Sequence, residues 1–181
     1  ARPLDGLRLV TCHLGAGASL AAVQAGRSID TTMGFTPLDG LVMATRSGAV
    51  DPGAVLWARR RLGLAPGEVE ESLEHHSGLL GLSGRSGDLR VVLDGAAEGD
   101  ERCRLAVDVM QHRLRGSIAS MAAALGGIDA LVFTGGIGEH AASVRAAAID
   151  GLTFLGAEVD IDANALGVGH DAVISPPDAL V

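Results

Sequence analysis

The 181-residue chain is 48% hydrophobic with a mean hydropathy of +0.32, which argues against disorder and sets the expectation of one globular domain with a real core. All fourteen basic side chains are arginine, so a P-loop lysine, a Schiff base and any other lysine-dependent mechanism are excluded, and anions must be met by Arg, His and backbone amides. A net charge of −8 and a pI near 5.1 argue against a bare nucleic-acid surface, and no apolar run approaches the roughly 20 residues of a membrane span.

Residues 7–13 (LRLVTCH) read as a strand, LGAGA reverses the chain, 19–24 (SLAAVQ) form a second strand and 27–31 a third, which makes an antiparallel meander. The stretch FTPLDGLVMATRSGAVDP carries Pro, Asp-Gly and Ser-Gly breakers and predicts a loop that holds Arg46. Asp51-Pro52 opens a helix over 52–62, and Pro66 starts another over 66–76. Residues 78–87 (GLLGLSGRSG) are expected to form a Gly- and Ser-rich loop able to approach a ligand closely. A long helix is predicted over 101–125, where Leu105, Val109, Met110, Leu114, Ile118, Met121 and Leu125 recur at three-to-four spacing before Gly126-Gly127. IDALVFT (128–134) then predicts a buried strand, GGIG a turn and 139–150 a helix, with further strands near 157–161 and 171–175. A meander followed by alternating helices and strands is an α/β layer around a mixed sheet. PPDALV follows the last expected strand with neither cap nor polar tail, as if the parent protein continued.

Four segments could carry chemistry. In the first, His13-Leu14-Gly15-Ala16-Gly17, glycines at positive φ would let successive N–H groups converge on a phosphate, although a tight hairpin needs Gly for geometry alone. Cys12 and His13 point to opposite faces of a strand, which argues against a thiol dyad. The second, Phe133-Thr134-Gly135-Gly136-Ile137-Gly138-Glu139-His140, runs from a strand through glycines into a helix, a junction that favours phosphate or ribose. Read as Gly136-x-Gly138-x-x-Ala141 with Asp160 beyond, it also matches the dinucleotide fingerprint, so an NAD-binding oxidoreductase domain stays open. Third, Arg46 offers a permanent planar charge suited to phosphoryl or carboxylate groups, or is simply solvated. In the fourth, Arg90 has the chemistry to stack on a base and Asp88 to accept from a hydroxyl, or Asp88 caps a helix beginning at Leu89. His75, His76 and His112 lack metal-site spacing and receive no role.

In this order the four segments resemble the acetate and propionate kinase family of the actin, sugar-kinase and heat-shock ATPase superfamily. The matching text is HLGAGASLAAVQAGRSIDTTMGFTPLDGLVMATRSGAVDP, LSGRSGDLR and VFTGGIGEHAASVR. The resemblance implies a ribonuclease H-like (actin-like ATPase) α/β domain over residues 1–181, the nucleotide-binding C-terminal half of a larger two-domain kinase. It implies reversible transfer of the ATP γ-phosphoryl to acetate, giving acetyl phosphate and ADP. His13 to Gly17 would contact the phosphates, Asp88, Leu89 and Arg90 the adenosine, and Gly136 to His140 the adenine, while Arg46 would stabilise the transferring group. Mg²⁺ would be held mainly by residues outside this chain, the isolated chain would be inactive, and the protein would be a cytoplasmic homodimer. A non-catalytic nucleotide-binding or dimerisation module remains an alternative. The family usually has Asn where this chain has Ala16 and His140, and losing one neutral hydrogen bond at the phosphate loop is worth roughly 0.5–1.5 kcal/mol.

Overall fold

The computed structural model describes residues 3–179 and Val181, which divide into two compact units. The first unit comprises residues up to Thr32 together with Gln111–Val181, and the second is Met33–Met110.

The first unit is organised by a four-stranded sheet in the order β3-β2-β1-β4, formed by β1 (Arg8–Leu14), β2 (Ala18–Gln24), β3 (Arg27–Thr31) and β4 (Ala130–Thr134). The predicted meander is present, with Ala25 at φ 50° and Gly26 at φ 76° forming the two-residue turn between β2 and β3. Along β1 the burial alternates: Val10, Cys12 and Leu14 lie inside, and His13 is exposed. β4 runs parallel to β1, pairing Leu9 with Ala130 at one end and His13 with Thr134 at the other. Asp129 sets that register from below, accepting the Arg8 backbone N–H at 2.9 Å and the Arg8 Nε and Nη2 at 3.1 and 3.0 Å. The mixed sheet therefore places the end of β4 beside the β1–β2 turn.

In the second unit, α1 (Pro52–Leu62) is capped by Asp51, whose carboxylate accepts from Gly53 N at 2.7 Å, and α2 (Pro66–His75) follows. The expected 78–87 loop is corrected: residues 78–83 are helical, forming α3 (Gly78–Ser83), because the apolar Leu79 and the two neighbouring leucines pack as one turn and Gly84 at φ 65° ends it. Asp88 caps α4 (Leu89–Ala97).

Helix α5 (Glu101–Leu125) has the predicted bounds, but its buried stripe opens on small residues. Cys103 and Ala106 are fully buried and continue through Met110, Leu114, Ile118, Met121 and Leu125, whereas Leu105 is 54% exposed. Two further expectations are corrected. GGIG is not a turn but the body of α6 (Gly135–His140), followed by α7 (Ala142–Asp150). No strand forms at 157–161 or 171–175; Asp160 instead caps α8 (Ile161–Leu166), accepting from Ala163 N at 2.9 Å, and one bond from Asp160 N to Ile174 O is the trace of pairing. Residues 159–162 (VDID) alternate apolar and acidic side chains as a strand does, but the carboxylate of Asp160 caps a helix there instead. No described helix is long and apolar enough to cross a membrane.

Candidate active site

In the first unit, two of the segments singled out from sequence come together where β1 and β4 end side by side. The β1–β2 turn, residues 15–17, closes on itself: Gly15 N donates to Gly17 O at 3.0 Å. That bond consumes one amide, and among the described residues Ala16 N and Gly17 N have no partner, which leaves the donors at the tip. The expectation of positive φ at Gly15 and Gly17 is not met, since neither adopts it. At Gly15 the demand is space, because a Cβ there would lie 3.3 Å from Gly17 O and 3.7 Å from His13 Nε2.

Positive φ is required one strand away, at Gly135. Its φ is +80°, and a Cβ would meet Leu14 O at 2.6 Å and His13 Cε1 at 3.1 Å. Gly135 is thus the residue that lets α6 start against the β1–β2 turn. It lies within the second segment, but the ligand contacts expected there begin only at Gly136. Gly138 is buried, with room for a Cβ only 3.4 Å from the Phe133 carbonyl carbon, while a Cβ at Gly136 would face open space. Helix α6 therefore presses Gly138 onto the strand and leaves Gly136 open to a ligand.

His13 is oriented by Thr134, a residue of the second segment whose pairing with His13 no local signal shows. Its Nδ1 lies 3.1 Å from Thr134 Oγ1, directly across the parallel pair. A neutral imidazole that accepts the Thr134 hydroxyl at Nδ1 carries its proton on Nε2, ready to donate to an anion. Thr134 gives α6 no side-chain cap. On the opposite face Cys12 is fully buried, and burial pushes its thiol up, which leaves no thiolate for chemistry.

The second unit collects the other two segments. The Arg46 loop is pinned by its backbone: Met43 N donates to Arg46 O at 3.3 Å, Ser47 N to Leu73 O at 2.9 Å, and Leu79 N to Met43 O at 2.9 Å. Thr45 Oγ1 adds a bond to Glu74 O at 2.9 Å. Two glycines admit this packing, since a Cβ at Gly78 would overlap Met43 O and one at Gly87 would sit 2.8 Å from Ala44 O. Gly87 brings the Asp88 turn against the Arg46 loop. Arg46 itself touches Pro37 O at 3.4 Å and Met43 Sδ at 3.9 Å, and no carboxylate pairs with it among the described residues. Its charge is open to an anion.

Asp88 and Arg90 differ from expectation in one respect. Instead of standing apart for a hydroxyl and a base, they pair with each other, Arg90 Nη2 and Nε donating to Asp88 Oδ2 and Oδ1 at 2.6 and 3.1 Å. Asp88 is held below the usual carboxylate range, first by the Arg90 side chain and then by the Arg90 backbone N–H that it caps. Arg90 is 87% exposed beyond this bond, so its guanidinium face stays accessible.

The acetokinase family sequence pattern matches residues 1–181, the whole chain. The chain belongs to the acetokinase family. It is 51% identical over 181 residues to acetate kinase from Rippkaea orientalis, a match that spans 99% of this chain and 44% of that relative. The crystal structure of Porphyromonas gingivalis acetate kinase superposes with a TM-score of 0.95 at 40% identity, covering 98% of this chain and 44% of the other. That of a Francisella tularensis propionate kinase gives 0.89 at 41% identity, covering 97% and 44%. This acetokinase chain therefore spans less than half the length of the relatives it matches, and its α/β fold is the actin-like ATPase fold of those enzymes. The dinucleotide reading loses its second requirement in the structure. Asp160, needed at a strand end for ribose, is spent capping α8.

Proposed function

We propose that this acetokinase chain supplies the nucleotide-binding C-terminal half of an acetate kinase that reversibly transfers the ATP γ-phosphoryl group to acetate, giving acetyl phosphate and ADP. The observation that carries the reading is the parallel register of β1 and β4, which seats the His13 turn and the glycine helix α6 side by side. A phosphate chain met by Ala16 N, Gly17 N and His13 Nε2, with the nucleoside along Gly136–His140, uses donors that the fold leaves without internal partners. Asp88, Leu89 and Arg90 serve the adenosine in the same reading.

In the reaction a carboxylate oxygen of acetate forms a bond to Pγ while the bond from Pγ to the β–γ bridging oxygen breaks, and that oxygen leaves on ADP. Acetate is already an anion at neutral pH, so no base has to remove a proton. What the protein must supply is position and compensation for charge spread over the equatorial oxygens. Arg46, unpaired with any described carboxylate on a pinned loop, is suited to that compensation through its guanidinium fork. Among the described residues no group of three or more His, Cys, Asp or Glu is placed to hold a metal, and in this reading Mg²⁺ would be held mainly by residues outside this chain. A homodimer in the cytoplasm belongs to the same proposal, and both cysteines are free, buried thiols suited to a reducing compartment.

Calorimetric titration with Mg-ADP, Mg-ATP and NAD tests this reading, with binding of both adenine nucleotides expected. Tight NAD binding without ATP binding overturns it. The 181-residue chain alone is expected to make no acetyl phosphate in a hydroxamate assay. Acetate- and ATP-dependent product that disappears in Arg46→Ala would show instead that the chain is a complete enzyme.

A further inference from the structure

Arg145 in α7 is 2% exposed, and its hydrogen-bond partners are all neutral. Nε donates to Asn164 Oδ1 at 2.7 Å and Nη2 to Asn164 O at 2.6 Å. Nη1 donates to the carbonyls of Gly138 and Glu139, both at 2.8 Å. A buried guanidinium without an anion is expensive, and burial lowers its proton affinity. Keeping one there needs a return that an apolar side chain could not provide.

The two carbonyls it reaches belong to α6, and α6 is a helix that local forces do not hold. Half of its six residues are glycine, each costing about 1 kcal/mol in a helix relative to alanine, and six residues fall far short of the roughly 12 at which isolated helices become even marginal. Ile137 O receives Ala141 N at 2.9 Å, and the next two carbonyls at the helix end go to Arg145. One guanidinium therefore closes the end of α6, while its other edge is anchored on the buried Asn164, itself tied to Ala142 O at 2.9 Å. Only a planar fork spans both sets of acceptors; an ammonium donates from a single point.

We propose that Arg145 is a positioning residue that holds α6 in its nucleotide-receiving shape through the Gly138 and Glu139 carbonyls without touching the ligand. The inference rests on the nucleotide reading above. It also accounts for a charge in the interior that the reaction does not use: Arg145 allows α6 to be glycine-rich, hence open at Gly136, without losing its shape.

The test is ADP titration of the full chain with wild type, Arg145→Met, Arg145→Lys and Asn164→Ala, together with melting curves and hydrogen exchange at residues 136–140. Arg145→Met is expected to bind ADP roughly tenfold more weakly or worse, with faster exchange confined to α6, and Arg145→Lys to fall between it and wild type. Asn164→Ala removes a buried anchor but leaves Nη1 on α6, so it lowers the melting temperature while ADP affinity stays within about twofold of wild type. ADP binding by Arg145→Met within about twofold of wild type overturns the proposal, as does equal weakening by Arg145→Met and Asn164→Ala. If Arg145→Met does not fold, Arg145→Lys decides: affinity within about twofold of wild type and unchanged α6 exchange overturn the proposal. Failure of the wild-type chain to bind ADP overturns the nucleotide reading itself and the inference with it.

Discussion

The two units present different groups to an anion. At the β1 and β4 ends of the first unit the backbone does the work: a turn whose tip amides lack partners among the described residues lies beside a helix that is half glycine, and His13 is steered by Thr134. In the second unit backbone bonds from Met43, Ser47 and Leu79 pin a loop, and what that loop offers is a side-chain charge, Arg46. In the proposed reading a chain without lysine divides the handling of phosphate between oriented amides, which suit a bound ground state, and a guanidinium, which suits charge that moves during transfer. The division implies that damage to the first unit weakens nucleotide binding and damage to Arg46 slows turnover.

The largest expected effect breaks the second half of that comparison. In the active enzyme Arg46→Ala should lower kcat by about 10²-fold or more, on the order of 3 kcal/mol, with a much smaller change in the KM for ATP. Steady-state kinetics check this, and an unchanged kcat removes Arg46 from the mechanism. Next comes Gly135→Ala, where a φ of +80° and a Cβ 2.6 Å from Leu14 O oppose any side chain. It should destabilise the chain by about 1–3 kcal/mol and abolish ADP binding, whereas Gly136→Ala, facing open space, should fold like wild type. Thermal melts and ADP titration of the pair decide whether α6 must abut the β1–β2 turn.

Legibility followed the same division. Strands β1 to β3, the helix starts at Asp51 and Asp88 and the bounds of α5 were readable because alternation, capping and three-to-four spacing are local signals. Arg46, His13 and the two glycine segments are legible as candidates, and the structure places His13 beside the glycine segments in one unit and Arg46 in the other. Unreadable was everything that depends on which strand lies beside which. Thr134 and Gly135 matter only because β4 runs parallel to β1, a pairing across more than 110 residues of chain. For the same reason α6 reads as a turn in the sequence: three glycines in six positions argue against a helix, and the guanidinium that closes it comes from the following helix. The α5 stripe was misplaced by one face near its start because Cys103 and Ala106, small enough for a tight contact, carry less hydropathy than the exposed Leu105.

A gain of function sharpens the first half of the comparison. If the turn of residues 15–17 binds phosphate through its tip, Ala16→Asn adds one amide donor beside the unpartnered N–H groups. One neutral hydrogen bond is worth roughly 0.5–1.5 kcal/mol, so ADP affinity should rise about two- to tenfold at unchanged melting temperature. No change in affinity would place the phosphates away from this turn.

The smallest effect concerns the exposed Asp88 and Arg90 pair, and it is one of pH. Arg90 holds the folded-state pKa of Asp88 below its unfolded value, so the pair stabilises the fold above the ordinary aspartate pKa of about 3.9, and that contribution disappears as pH falls through this value toward the lower folded-state pKa. Asp100 is shifted the same way, chiefly by the Cys103 backbone N–H, and adds to the same acid slope. Asp88→Asn should therefore melt lower than wild type near neutral pH, with the gap closing below about pH 4 while the Asp100 slope persists in both proteins. No gap near neutral pH would mean that Asp88 contributes only as a cap of α4, which Asn supplies as well, and that its pairing with Arg90 adds no stability. Arg90 would then be as free for a nucleotide base as Arg46 is for a phosphoryl group.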